Sequence, residues 1–319
     1  MEKLNEIVKE LKKHEAKREK PRIWREKEIL NNKIVDSFAF ILHTSGCAWA
    51  KQGGCTMCGY FKESYDVSEE EIIEQINFVF ANYSGEEVVK IYTSGSFLDE
   101  NELPVEMQNY IINKFDRASK IVIESRPEFI ENLENLKQKN IEVAMGLESA
   151  NDKVLEYSIN KGFKFEEWKK AAEKVKEYGK SLRAYILIKP PFLTDEDAIK
   201  DAIYSVEKIK DIADIISFNP VAIHSKTLLE LLWRKNIYRP PWLWSVAEII
   251  KESKEIYDGI IRCDIVAGGT PRGAHNCGVC DEAFLREIKN FSLNQKMEEV
   301  ECDCREEWLD WLEIERFLI

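Results

Sequence analysis

Three cysteines close together open the chemistry of this chain. Cys47, Cys55 and Cys58 lie in HTSGCAWAKQGGCTMCGY at C-x7-C-x2-C spacing, and no fourth cysteine or nearby histidine follows them. A closed structural zinc site takes four protein ligands, so three thiols leave one position open. On a four-iron cluster the same three thiolates would leave one iron free for a substrate or cofactor. Gly46, Gly53, Gly54 and Gly59 suit a loop that wraps closely around an inorganic core. An incomplete zinc knuckle is the competing reading of these residues.

A second thiol group lies far downstream. Cys277-x2-Cys280 is followed, after 21 intervening residues, by Cys302-x-Cys304. Two close pairs fit a closed, all-thiolate zinc site, with an auxiliary iron–sulfur cluster as the rival because thiolates suit both. His275 is a possible substitute ligand. Of the eight cysteines only Cys263 stands alone, and it reads as a small buried hydrophobe. Clustered cysteines in a reducing compartment hold metal more often than they form disulfides.

The elements that must position these groups follow from the hydropathy pattern. Strands are expected at 38–43, 88–93, 120–124, 141–146, 182–188 and 215–218, as near-continuous apolar runs buried on both faces. Helical periods at 68–83, 103–117, 127–138, 166–178 and 195–210 alternate with them, and Ser68 is placed as an N-cap before Glu69–Glu71. The alternation predicts an α/β fold of parallel strands, either an open sheet or a partial (βα)6 barrel. In both, chemistry sits in the loops after the strands' C-terminal ends. Polar residues punctuate those ends: Ser94, Gly95 and Ser96; Glu124, Ser125 and Arg126; Glu148 and Ser149; and Lys189 before Pro190-Pro191. The expected division is a basic N-terminal helical extension (1–33), a barrel (34–225) and a small cysteine-rich C-terminal domain (226–319).

The formal charge of −12 argues against generic nucleic-acid binding. Residues 1–33 differ, with 11 Lys and Arg against 7 Glu, so a basic arm could touch phosphates beside an acidic body. No run reaches the roughly 18 to 20 apolar residues of a membrane span, and the N-terminus has no apolar signal core. A soluble cytoplasmic protein is expected. Weaker signals carry plainer readings. Trp242 and Trp244 read as junction packing, and Trp308, Trp311, Leu312 and Phe317 as a docked terminal helix. Gly268–Gly273 reads as a loop resembling a phosphate nest, with Arg272 beside an anion, and His43 and His224 as core histidines.

The thiol loop and the polar strand ends together resemble the radical S-adenosylmethionine (radical SAM) superfamily, in its branch of tRNA-modifying and methylthiotransferase-type cores. The resemblance implies a TIM-like partial barrel with a [4Fe–4S] cluster on Cys47, Cys55 and Cys58. It also implies S-adenosylmethionine on the open iron, cleaved reductively to a 5′-deoxyadenosyl radical. By position, Ser94, Gly95 and Ser96 stand where the family's Gly-Gly-Glu-type turn meets the cofactor's amino group. Ser125 and Arg126 stand where its carboxylate is held, and Glu148, with Ser149 beside it, where its ribose is bound. Two departures are plain: most of the superfamily uses C-x3-C-x2-C, and TSGS lacks the acidic residue.

GGCTMCGY, ESRPEF, YILIKPPFLT, YRPPWLWS, RGAHNCGVCD and CDCREEW are together similar to the radical subunits of archaeosine synthases. That similarity implies a tRNA substrate with a lysine-modified 7-deazaguanine at position 15 of the D-loop. The implied reaction is a lyase step that removes the lysine side chain and leaves the formamidine of archaeosine. A transglycosylase-like partner that installs the lysine, an electron donor and no membrane are implied as well. The rival outcomes are another radical SAM enzyme, transferring a methylthio group or modifying a peptide, and a non-catalytic metal-binding scaffold that positions tRNA.

Overall fold

In the computed structural model, which describes residues 2–12 and 19–317, one sheet of eight strands runs in sequence order. Arg22–Leu30 (β1) and Lys33–Ile41 (β2) pair as an antiparallel hairpin. Asn31 and Asn32 turn it with φ of 50° and 59°, as a two-residue turn between right-twisted strands demands. Val88–Tyr92 (β3), Lys120–Ser125 (β4), Ile141–Glu148 (β5), Ser181–Ile188 (β6), Ile215–Pro220 (β7) and Ile260–Cys263 (β8) follow, each parallel to its predecessor. Every strand lies beside the last, so the crossovers all turn one way and roll the sheet into a partial barrel.

The helices are Glu2–Leu11 (α1), Ala48–Gln52 (α2), Glu69–Ala81 (α3), Val105–Lys114 (α4), Phe165–Glu177 (α5), Asp195–Ile209 (α6), Leu228–Arg234 (α7), Leu243–Ile256 (α8), Asp281–Asn294 (α9) and Cys304–Ile314 (α10). Ser68 caps α3 as expected: its hydroxyl accepts from Glu71 N–H, and the Glu71 carboxylate accepts from Ser68 N–H at 3.0 Å. The segment expected as a helix over 127–138 is instead a 3-10 run at Pro127–Asn135.

Three expectations change. Residues 1–33 are not a helical arm, because β1 occupies Arg22–Leu30; 13–18, the middle of the basic segment, lie outside the described residues. Residues 226–319 do not stand apart from the barrel, because β8 adds to its sheet. The strands are also not apolar on both faces. Ile91, Ile121, Val143, Leu182 and Ile216 pack under the helices, in one core with Ile76 of α3 and Trp168 of α5. The alternate positions, Lys90, Glu142, Arg183 and Arg262, turn inward, where Arg183 meets Glu142 and the three cations converge on Glu28. A rolled sheet encloses its inner face, so polar side chains there find partners among themselves.

Glu28 of β1 is the centre of that inner layer. Its carboxylate lies 2.6 Å from Lys90 Nζ, 3.2 Å from Arg183 and 2.6 Å from Arg262. Burial alone would raise its pKa, but Arg183, Lys90 and Arg262 outweigh burial and hold it well below the carboxylate range. Arg183 also meets Glu142 at 2.7 Å, and Glu142 meets Lys120 at 2.6 Å. The Glu28–Arg262 pair links β1 to β8, the two edge strands, so charge closes a seam that backbone pairing leaves open.

Candidate active site

Above this ionic floor, at the C-terminal ends of the strands, lies a cavity of about 520 Å³, a size suited to a cofactor and a substrate group. Cys47, Cys55 and Cys58 all line it. They come from the loop after β2, whose α2 helix is too short to bury its residues, so the chain is held by side contacts. Gly54 is in the left-handed region at φ +79°, and a Cβ there would lie 2.8 Å from Ala50 Cα and 2.6 Å from Lys12 Nζ. Thr56, between the second and third thiols, donates to Ser158 O at 2.7 Å and accepts no compromise in backbone either, its N–H reaching Ile159 O at 2.9 Å.

The cavity also carries cations close to the thiols. Arg126 acts electrostatically on Cys47, Lys161 on Cys55, and Lys12, at the end of α1, on Cys58. Burial pushes Cys58 up to about 11 and raises Cys47, so the thiolate forms depend on such partners. Rather than hanging free, α1 sits over the thiol loop: Asn160 Nδ2 donates to Asn5 Oδ1 at 2.5 Å and to Gly54 O at 2.9 Å.

Of the residues expected at the cofactor, Ser94, Gly95, Ser125, Arg126 and Glu148 line the cavity. Ser96 and Ser149 do not. Ser96 Oγ accepts from Arg126 N–H at 3.1 Å, and its own N–H donates to Glu102 at 2.6 Å. Ser149 is fully buried and its hydroxyl donates to Asp201 at 2.9 Å, because the chain turns behind the sheet immediately after Glu148. Glu148 holds φ at +71° beyond a bulge in β5, a device that re-aims side chains beside sites.

Lys189, at the end of β6, is likewise not in the cavity; it is buried against Asp195 at 2.5 Å and Glu315 at 2.7 Å. His224 lines the cavity, whereas the buried His43 ring meets Glu63 O at 3.0 Å. Arg272 is bound to Glu230 at 2.8 Å, so the glycine loop offers no free guanidinium.

Several cavity residues were not anticipated. Lys161 lies 2.7 Å from Glu148; burial works against its charge, and Glu148 more than restores it. It comes from a loop beyond the π-helical turn Val154–Ile159, where no periodic signal points to it. Glu124 was noted only as a strand end. It faces the cavity, and burial, with Glu148 adding, pushes its pKa up to about 7 against the hydrogen bond from Tyr185. Trp24 of β1 and Tyr92 of β3 stack with centroids 5.6 Å apart and rings 2° from parallel, making a flat wall. The Asn-Asn turn between two β-rich runs was the signal that could have found Trp24.

The model of the radical SAM superfamily matches residues 41–204, just over half of the chain, from the end of β2 into α6. The chain belongs to the radical SAM superfamily. For a radical SAM enzyme, membership implies S-adenosylmethionine and a [4Fe–4S] cluster. The chain is 38% identical to archaeosine synthase subunit beta of Methanosarcina acetivorans, over 92% of this chain and 90% of that one. It is 36% identical to archaeosine synthase subunit beta of Thermococcus kodakarensis, over 90% and 98%. The barrel of this radical SAM enzyme is similar in fold to a solved methylornithine synthase, with a TM-score of 0.52 at 15% identity over 97% of this chain and 91% of that one. No helix among the described residues is long and apolar enough to cross a membrane.

The thiol loop suits such a cluster on its own terms. A cubane holds its thiolates on separate iron corners, further apart than ligands of one ion. Among the described residues, the group of three or more ligands that converges to single-ion spacing is Cys277, Cys280, Cys302 and Cys304, not the cavity trio.

Proposed function

We propose that this protein is the radical-generating subunit of an archaeosine synthase. It would act on tRNA carrying a lysine-modified 7-deazaguanine, cleaving a carbon–nitrogen bond of the lysine adduct to leave the formamidine. The observation that carries the reading is the cavity itself. Three thiols, the cations Lys12, Arg126 and Lys161 and the stacked Trp24–Tyr92 wall share one space at the strand ends. The relatives named archaeosine synthase subunit beta, aligned over most of the chain, support this reading and the expectation of a second subunit.

In this reading Cys47, Cys55 and Cys58 would hold a [4Fe–4S] cluster that binds S-adenosylmethionine. The bound pair would supply a 5′-deoxyadenosyl radical on reduction by an external donor. The protein's own residues then bind and orient. Arg126 and Lys161 would meet the cofactor carboxylate, and Glu148 would take ribose hydroxyls. Ser94, Gly95 and Ser125 offer small polar contacts. The Trp24–Tyr92 wall suits a planar heterocycle presented out of its stack, as a base must be before a buried radical can reach it. A transglycosylase-like partner subunit installs the lysine and supplies most of the tRNA contact.

The test is anaerobic. The reconstituted chain with dithionite and S-adenosylmethionine should yield 5′-deoxyadenosine, and with lysine-bearing tRNA it should yield archaeosine. Cys55→Ala should abolish both while leaving the fold intact. Deoxyadenosine without any change in the modified tRNA, partner present, would reject the substrate assignment but keep the radical core.

A further inference from the structure

Three sequence motifs that the radical reaction leaves unused meet at one place. They are the Lys189-Pro190-Pro191 end of β6, the PPWLWS entry to α8 and the CDCREEW opening of α10. At their junction the sulfurs of Cys277, Cys280, Cys302 and Cys304 converge. Cys277 to Cys280 is 3.9 Å, Cys277 to Cys302 is 3.8 Å and Cys280 to Cys304 is 3.6 Å, and all four lie within 4.8 Å of one another.

These separations decide between the two metals the sequence left open. Four sulfurs about 2.3 Å from one tetrahedral zinc stand about 3.8 Å apart along each edge. On a four-iron cubane they would be spread well beyond that. Two of the sulfurs are also buried and accept hydrogen bonds, Cys280 from Asn276 Nδ2 and Cys304 from Trp244 Nε1, both at 3.3 Å. Donors aimed at sulfur steady a thiolate in a metal site's outer shell.

The same atoms lead on to the barrel. Trp244 stacks on Trp308 of α10, with centroids 6.1 Å apart. Trp308 Nε1 donates to Ser245 Oγ at 2.9 Å, and Ser245 Oγ donates to Asp195 at 2.7 Å. Asp195 meets Lys189 Nζ at 2.5 Å. Just past α10, Glu315 accepts from Lys189 Nζ at 2.7 Å and from Asp195 N–H, the first residue of α6, at 2.6 Å. A buried Lys189 without Glu315 would lose one of its two carboxylates.

We propose that Cys277, Cys280, Cys302 and Cys304 hold one tetrahedral zinc ion, and that this ion clamps α10 to the barrel so that Glu315 stays on Lys189 at the end of β6. Its role is structural: the site is closed by four thiolates and has no open position for chemistry. Without the ion, α10 is tethered to the rest by Trp308 and its neighbours and by the Glu315 contacts.

The experiment uses the full chain, purified anaerobically with its cluster. Zinc should be present at about one per chain, with a zinc-edge absorption spectrum showing about four sulfurs near 2.3 Å. The Cys47→Ala/Cys55→Ala/Cys58→Ala variant should lose iron and keep the zinc. Cys302→Ala should lose the zinc and keep the iron. The absorption measurement on the unaltered chain stands even if Cys302→Ala fails to fold. About eight irons and no zinc, a single iron in the site, or four thiols that alkylate freely in the native protein would each overturn the assignment. For the clamp, chelating the zinc should raise amide exchange at 189–195 at least tenfold and leave β3–β5 unchanged. Unaltered exchange at 189–195 would overturn that part.

Discussion

Gly95 shows how one absent side chain joins two loops. A Cβ there would lie 2.0 Å from Glu102 Oε2 and 2.7 Å from Cys47 N, so only glycine lets the turn after β3 press against the thiol loop. Glu102 is a carboxylate that reaches the TSGS turn from outside it. It accepts from Thr44 Oγ1 at 2.5 Å and from Ser96 N–H at 2.6 Å, and burial raises its pKa. Gly95→Ala should therefore displace the thiol loop. The expected outcome is lower iron per chain after anaerobic reconstitution and a loss of about 1–3 kcal/mol in stability, the cost of overpacking. Normal iron content and melting temperature would show that the contact is slack.

Glu124 carries a prediction in pH. Burial pushes the Glu124 carboxyl up to about 7, above the ordinary carboxylate range, so its contribution is fully present in acid and is lost as pH rises through about 7. Glu124→Gln keeps a neutral group there. Relative to the unaltered chain it should gain on the order of 2 kcal/mol at pH 8, shrinking towards nothing as pH falls to about 4.5. Denaturant melts at several pH values check this. A gain that is independent of pH would mean the carboxyl is not strained by burial.

At the scale of elements, the barrel depends on β1, a strand the notion of a basic arm concealed. Glu28 on it balances Lys90, Arg183 and Arg262. Glu28→Gln leaves these buried cations short of a counter-charge and should cost about 3–5 kcal/mol, as breaking a buried ion group does. Because the Glu28 pKa is depressed, its contribution is present above the ordinary carboxylate pKa and is lost as pH falls towards the folded value. The gap between variant and parent should thus narrow in acid. A melting temperature unchanged at neutral pH would mean that hydrogen bonds alone hold the seam between β1 and β8.

For the whole molecule, charge sets the terms of RNA binding. A net charge of −12 leaves little phosphate neutralisation, the main source of affinity for nucleic acid. The isolated chain should bind tRNA weakly at physiological salt, and adding the partner subunit should tighten binding at least tenfold in a filter-binding titration. Tight binding by the chain alone, steeply weakened by salt, would place the RNA surface on this protein instead.

The alternation of strands and helices, the α3 cap and the thiol loop at the end of β2 were all legible in the sequence, because periodicity, capping chemistry and cysteine spacing are local. The Asn-Asn hairpin and the inward row of Lys90, Glu142 and Arg183 were equally local, but residues 1–33 read as a basic helical extension and the strands as near-continuous apolar runs. Other features had no local signal at all. Lys161 reaches Glu148 across a π-helical turn, Glu102 serves a turn it does not belong to, and Ser149 faces Asp201 rather than the cavity. The convergence of Cys277 and Cys280 with Cys302 and Cys304 was suggested by their pairing, but the spacing that favours a single ion exists only in three dimensions. Residue types announce what chemistry is possible. Which of them share a space depends on the closing of the barrel, since only burial and contact between distant segments decide whether a charge finds its partner.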